Sequence, residues 1–310
     1  MTCVKRIITS FSILMLLSTT TAFSDGDVKL VPSGNVVEFY MVLKHPYINE
    51  CLDRNNKKLQ QKDIIMYINH DGKKITTLQG IHELMKISNE KIEVNYVRNG
   101  KTREKKMSTE DLRLYKVSDY MGATGTITAI DENGNYVALS HNITFDDSEL
   151  SIDKGILLET DYVQEIKSKD GSIGHLVTTS SSERIGTINS MTKYGLQGKY
   201  ANFDYKQSKA LEIAKPKQGK AYMLCETPIT NEIKFHEIEI LVVGEKSSKI
   251  KILDEELIKI RGGGVQGMSG SPIIQDGRIV GGMSHVYYKD TTLGLIANIH
   301  SMLEKPNYNN

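Results

Sequence analysis

The chain of 310 residues has no tryptophan and only three cysteines, Cys3, Cys51 and Cys225. No Cys/His set has the spacing of a structural zinc site, so neither a metal staple nor a disulfide-dense scaffold holds the fold together. Cys3 precedes the apolar N-terminal stretch and so is not a lipidation cysteine following a signal. Cys51 and Cys225 are left between a pair formed in an oxidising compartment and two free buried thiols. A large charge of either sign is also lacking. The formal net charge of +1 argues against a nucleic-acid binder, which carries a basic excess. The densest basic stretch, Lys101 to Lys106, is broken by Thr102 and Glu104 and reads as a solvated strand end. After the N-terminus no apolar run is long enough to span a bilayer. No internal repeat, low-complexity tract or cofactor motif is present, and no metal or organic cofactor is implied.

The N-terminus does have an apolar run. Lys5 and Arg6 precede a mostly apolar stretch from Ile7 to Thr21, which is short for a spanning helix. Ala22-Phe23-Ser24 has the small-x-small pattern of a cleavage site, so residues 1–24 are expected to be a signal peptide or an N-terminal membrane anchor. Either way the bulk of the chain is exported, and any membrane contact is made through this segment alone.

Residues 31–107 read as a small α/β module. Val36 to Leu43 has strand character, and Asp63 to Asn69 followed by Gly72 reads as strand then turn. The spacing of Leu78, Ile81, Leu84, Met85 and Ile87 predicts a short helix. Ile92 to Val97, the Asn99-Gly100 turn and Lys101 to Met107 predict a closing hairpin. The segment from 44 to 62 is polar and reads as irregular. Residues 108–118 are expected to be a charged linker to a second domain, 108–310. From Met121 onward strand follows strand with Gly-Asx turns between them, the pattern of an all-β barrel or sandwich. The expected class is mainly β.

One short stretch carries chemistry: Gly267-Met268-Ser269-Gly270-Ser271-Pro272. Glycines on both sides of Ser269 allow a sharp turn that exposes the hydroxyl, and they leave the amides of Gly267 and Ser269 free to hold an oxyanion. Ile273 to Gln275, an Asp276-Gly277 turn and Arg278 to Tyr288 follow as strand, hairpin and strand, which sets the stretch apart from a flexible linker. A serine nucleophile needs a general base, and histidine is poised for that near neutral pH. His141, after the strand Tyr136 to Ser140, is the first choice, and His285, close to Ser269 in sequence, is its rival. His45, His70 and His82 lie in the first module, and His175, His236 and His300 have no distinctive context. The base in turn needs an orienting carboxylate. Asp254 is preferred, with Glu255, Glu256, Asp146 and Asp147 as alternatives. Asp254 also reads as the N-cap of a short helix from Glu255 to Ile260.

The segments "GGGVQGMSGSPIIQDGRIVGGMSHVYYKD", "GATGTIT", "YVALSHNI" and "ILDEELI" resemble those of the stage IV sporulation protein B (SpoIVB) peptidase family, serine peptidases of the trypsin-like clan. "DIIMYINHDGKKI" resembles the segment of a PDZ domain before its peptide-groove helix. The PDZ carboxylate-binding loop has only Pro32-Ser33-Gly34-Asn35-Val36 as a counterpart. The resemblance implies a PDZ-like module followed by two β-barrels with the site between them. By position it puts the nucleophile on Ser269, the base on His141 and the acid on Asp254, in agreement with the choices made from the residues. One departure is Ser140, where the family usually has glycine. The function it implies is that of a sporulation-associated serine endopeptidase. Its substrate would be an exported or membrane-anchored protein between mother-cell and forespore membranes, cleaved as an intercompartment signal, with self-cleavage. The competing readings are a non-catalytic PDZ-type scaffold and an esterase or acyl transferase. The latter lacks the Gly-x-Ser-x-Gly context of an α/β-hydrolase.

Overall fold

A computed structural model of the protein describes residues 28–53, 58–227 and 232–305. The expected targeting segment, residues 1–24, lies outside them.

The chain opens with β1 (Lys29–Pro32) and the long β2 (Val36–Cys51). In β2, Val37, Phe39, Met41 and Leu43 alternate with outward residues such as Glu38 and Tyr40, the period-two pattern of a half-buried strand. The strand does not stop at Leu43. It continues through buried Tyr47 and Ile48. Its pairing slips between Val42 and Tyr47, where Pro46 has no amide to donate, and then resumes. The irregular segment read from residue 44 is therefore strand at its start, because local polarity at Lys44 and His45 hides the pairing.

A compact module follows: β3 (Ile64–His70), β4 (Lys73–Ile75), α1 (Leu78–Lys86), β5 (Lys91–Arg98), β6 (Lys101–Ser108) and α2 (Thr109–Leu112). Thr77 caps α1 by accepting from the Gly80 amide, and Ser108 and Asp111 form a capping box on α2. Ile65, Ile68, Ile81, Leu84, Val94 and Leu112 form the module's own core. The strand β7 (Tyr115–Ile130) then pairs along β2 from Cys51 back to Val36.

This topology corrects the expected division. The module is inserted between β2 and β7. Residues 31–43 belong to the following barrel, because Val37, Phe39, Met41 and Leu43 pack with Ile127, Leu157 and Leu196. Residues 108–118 are not a linker, since Leu112 and Tyr115 are buried in the module's core. The Pro32–Val36 loop is not at the module's helix either. The Ser33 and Gly34 amides bond Thr128 and Ile127 of β7.

Next come β8 (Asn135–Ala138), β9 (Thr144–Phe145), β10 (Ser148–Glu149), β11 (Ile152–Ile166), β12 (His175–Thr192) and β13 (Gly195–Tyr200). Successive pairing of β2, β7, β8, β13, β12 and β11, with β11 returning to β2, closes a first barrel. The short β14 (Leu211–Glu212) pairs with β1. A second closed barrel is made of β15 (Gly219–Glu226), β16 (Ile233–Val243), β17 (Ser247–Ile252), β18 (Pro272–Gln275), β19 (Arg278–Tyr287) and β20 (Asp290–Asn298). The helix α3 (Glu255–Arg261) lies between β17 and β18, and α4 (Ile299–Met302) follows β20. The second core contains Met223, Ile238, Ile250, Ile273, Met283 and Ile296, all at most 1% exposed.

Between the barrels Leu30, Ala129 and Val137 meet Ile274, Ile279 and Ala297. Burying each of the valine, leucine and isoleucine side chains contributes about 1.5–3 kcal/mol, so this layer holds the barrels in one register. Cys51 and Cys225 belong to different cores and are both free thiols. Burial pushes the Cys225 thiol up to about 11.

Candidate active site

The nucleophile stretch joins α3 to β18 at the face where the first barrel meets the second. Its hold comes largely from β7. The Thr126 amide donates to the Ser269 carbonyl at 2.8 Å. The Thr126 hydroxyl donates to the Gly267 carbonyl at 2.9 Å, and that of Thr128 to the Gly270 carbonyl at 2.6 Å. From the second barrel, the Gly270 amide donates to the Met283 carbonyl at 2.7 Å. Gly270 has φ +100°, and a Cβ there would lie 1.9 Å from the Thr126 carbonyl oxygen. Only glycine fits so close to a neighbouring strand. Sequence reasoning missed the two threonines, since a hydroxyl pattern on a strand has no local signature.

His141 arrives from the first barrel. β8 ends at Ala138, and Leu139 and Ser140 both take left-handed φ, 65° and 57°. This double kink turns the chain so that the imidazole faces the second barrel. It also corrects the view of Ser140 as a strand residue. Left-handed backbone disfavours any L side chain, which gives a physical reason for a glycine at this place.

The structure brings Ser269 and His141 together. The Ser269 Oγ lies 3.0 Å from His141 Nε2, and both side chains are half-buried. His141 Nδ1 lies 2.7 Å from the Asn142 carbonyl oxygen. A carbonyl oxygen only accepts, so Nδ1 carries the proton and Nε2 presents its lone pair to the serine hydroxyl. The Ser284 carbonyl, 3.2 Å from Ser269 Oγ, is a second acceptor for that hydroxyl. Burial lowers the His141 pKa below the ordinary imidazole value, and the Asn142 carbonyl offsets part of the effect. The ring is therefore neutral near pH 7, the form a general base requires. The amides of Gly267 and Ser269 have no hydrogen-bond partner among the described residues.

The expected third member is not brought to His141. Asp254 caps α3, accepting from the Leu257 amide at 2.7 Å. Its Oδ1 also lies 3.3 Å from Nδ1 of His236, without the alignment of a hydrogen bond. Burial pushes the Asp254 carboxyl up, but the Leu257 amide and His236 outweigh it and the net pKa is lowered. Of its two sequence readings, the helix cap is the one observed. The reason is topological: Asp254 follows β17 of the second barrel, whereas the Nδ1 edge of His141 is turned to its own barrel.

The other carboxylates fare no better. Glu255 and Glu256 are exposed in the first turn of α3. Asp146 and Asp147 sit on the exposed β9–β10 turn, where Asp146 pairs with Lys62 at 3.5 Å. Among the described residues no carboxylate is paired with His141. The rival base His285 is exposed on β19 with its ring 4.9 Å from that of His141, and its Nδ1 is engaged by Ser284 Oγ at 2.6 Å. No group of His, Cys, Asp or Glu among the described residues is arranged to hold a metal ion.

Two closed β-barrels with a serine and a histidine meeting at their junction define a serine endopeptidase of trypsin-like construction. The family model described as SpoIVB peptidase S55 matches residues 110–303, and the chain belongs to that family. Among solved structures it is similar to the Rv3671c protease of M. tuberculosis in its inactive form. That match has 14% identity and a TM-score of 0.32, and covers 58% of this chain and 81% of the other. A second similar structure is the scabies mite inactivated protease paralogue S-I1, with 13% identity, a TM-score of 0.32, and 58% and 84% covered. No curated protein sequence matches the chain.

Proposed function

We propose that Ser269 and His141 hydrolyse peptide bonds as a dyad whose imidazole is held by a backbone carbonyl in place of a carboxylate. The single observation behind this reading is the 3.0 Å contact between Ser269 Oγ and the unprotonated Nε2 of His141. Oγ attacks the scissile carbonyl carbon while its proton passes to Nε2. The carbonyl oxygen takes the negative charge and is met by the unengaged amides of Gly267 and Ser269. The imidazolium gives its proton to the leaving amine, the C–N bond breaks, and an acyl-enzyme remains on Oγ. Water then attacks the acyl carbon as Nε2 takes its proton, the acyl–Oγ bond breaks with that proton returned to Oγ, and the new carboxyl terminus leaves. Throughout, Nδ1–H stays on the Asn142 carbonyl, which supplies the correct tautomer but less charge stabilisation than a carboxylate.

The finer reading rests on the family. The substrate is an exported or membrane-anchored protein, and cleavage signals between compartments during sporulation, with self-cleavage as a further reaction. Residues 1–24 carry the chain across the membrane; no helix among the described residues is long and apolar enough to cross one. The inserted module is a PDZ-like partner-binding unit. A non-catalytic scaffold would have no use for the serine–imidazole contact, which favours the peptidase.

The test compares the full chain with Ser269→Ala and His141→Ala on candidate exported proteins and on itself. Loss of either member of such a unit lowers turnover by about 10⁶-fold. Cleavage lost in both variants supports the reading, and cleavage by either variant at the wild-type rate contradicts it.

A further inference from the structure

We infer that α3 is the element that positions the oxyanion loop. Asp254 and Arg261 hold its two ends and Glu165 of the first barrel supplies the counter-charge. Asp254 thus serves the reaction through α3 and not through His141. This rests on the reading of Ser269 as nucleophile.

The helix is clamped at both ends. At its start the Leu253 and Asp254 amides both donate to the Glu237 carbonyl of β16, at 3.0 and 3.1 Å. The Asp254 side chain caps the first turn and faces the buried His236. At its end Arg261 is 1% exposed. Its Nε donates to Glu165 at 2.8 Å, one terminal nitrogen to Cys225 Sγ at 3.4 Å, and the other to the Glu226 carbonyl. A buried guanidinium with donors spent in several directions fixes the helix end in position and rotation.

Glu165 lies near the end of β11, and the turn between β11 and β12 continues the clamp. The Ser168 amide donates to the Arg261 carbonyl at 2.8 Å, and its hydroxyl to the Gly264 carbonyl at 2.7 Å. The Gln266 amide donates to the Gly174 carbonyl at 2.8 Å, and the Gln266 carbonyl accepts from Leu176 at 3.0 Å. The Leu176 side chain packs where a Cβ of Gly267 would stand, 2.8 Å away. Contacts from the β11–β12 turn thus follow the loop from the end of α3 to Gln266, β7 takes over at the Gly267 carbonyl, and the Gly267 amide between them is one of the two proposed oxyanion donors. With φ +100° and no Cβ, Gly267 is held by these neighbours and not by its own conformational preference.

The two roles for Asp254 differ in what they change. An orienting acid stabilises the imidazolium, so its loss moves the acid limb of the kcat/KM profile. A positioning residue leaves that limb in place. Its loss lowers kcat with little change in KM, and weakens a peptidyl boronate in parallel with kcat. The experiment uses the full chain and the variants Asp254→Ala, which removes the cap, Glu165→Gln and the milder Ser168→Ala, each with its thermal unfolding recorded. Asp254→Ala and Glu165→Gln are expected to lose on the order of 10²-fold in kcat, the scale of one oxyanion donor. Boronate affinity should fall alongside and the acid limb stay unmoved. The double variant should lose little more than the worse single one, since both act on one element. Should Glu165→Gln fail to fold, Ser168→Ala carries the test, with a smaller loss of the same kind. Wild-type kcat in folded Glu165→Gln or Ser168→Ala overturns the inference, as does a moved acid limb in Asp254→Ala. A serine-directed fluorophosphonate on the wild type separates the two levels. No adduct at Ser269 overturns the nucleophile and the inference together, whereas an adduct at Ser269 with wild-type kcat in the variants overturns the inference alone.

Discussion

Replacing Gly270 by alanine would test whether the first barrel fixes the nucleophile. The added Cβ would lie 1.9 Å from the Thr126 carbonyl oxygen and 2.7 Å from the Leu139 amide nitrogen. Both are backbone atoms in the barrel wall, so neither can rotate away. Reaching even a 3.0 Å separation from that oxygen means opening the gap by about 1.1 Å. The loop must give, because β7 is paired on both sides. Ser269 is the adjacent residue, and its carbonyl bond to the Thr126 amide breaks with the shift. A misplacement of about 1 Å costs roughly 10²-fold in rate, so kcat should fall by at least that factor. Gly277→Ala is the control. It sits in the β18–β19 turn at φ +73° with open space around it, so it should cost about 1 kcal/mol of stability and leave kcat unchanged. Peptide hydrolysis and urea unfolding are measured on both. Wild-type kcat in Gly270→Ala would refute the claim that contact with β7 places the serine.

Acidification through the histidine range should destabilise the protein. Burial lowers the pKa values of His141 and His236, so below about 6.5, the ordinary imidazole value, the unfolded chain binds more protons. Stability then falls by up to about 1.4 kcal/mol per pH unit for each group until the folded-state values are passed. Urea midpoints at pH 7.5 and 5.0 read this, and an unchanged or rising midpoint would contradict it. The acid limb of kcat/KM should likewise lie below 6.5, the ordinary value for histidine. Ser140→Gly relieves a left-handed backbone, worth about 1 kcal/mol, and should raise the melting temperature by about 2–4 °C. Phe39→Ala empties a fully buried site in the first core and should cost about 3–5 kcal/mol, with kcat unchanged well below the melting temperature.

The elements that could be read from the sequence are those set by local chemistry. Asp276-Gly277 and Asn99-Gly100 mark hairpins that form where expected. The spacing from Leu78 gives α1, and the glycines around Ser269 gave away its turn. Long-range pairing left no such marks. The course of β2 past Pro46 and the insertion of the module between β2 and β7 depend on partners about 65 to 90 residues apart. The site divided in the same way. Ser269 and His141 were chosen from turn and strand context and meet at 3.0 Å. Asp254 satisfied every sequence criterion for an orienting acid, yet the same residue type caps a helix, and only the topology shows which role is used. His236 had no context in the sequence because its partner is Asp254 itself, brought close by the second barrel.

The most direct test of the serine–imidazole dyad maps the adduct of a fluorophosphonate by mass spectrometry on the wild type, His141→Ala and Asp254→Ala proteins. The dyad requires a single adduct at Ser269 in the wild type, none in His141→Ala, and slower labelling at the same serine in Asp254→Ala with the pH dependence of the wild type. An adduct elsewhere, or equal labelling of Ser269 without His141, would contradict it.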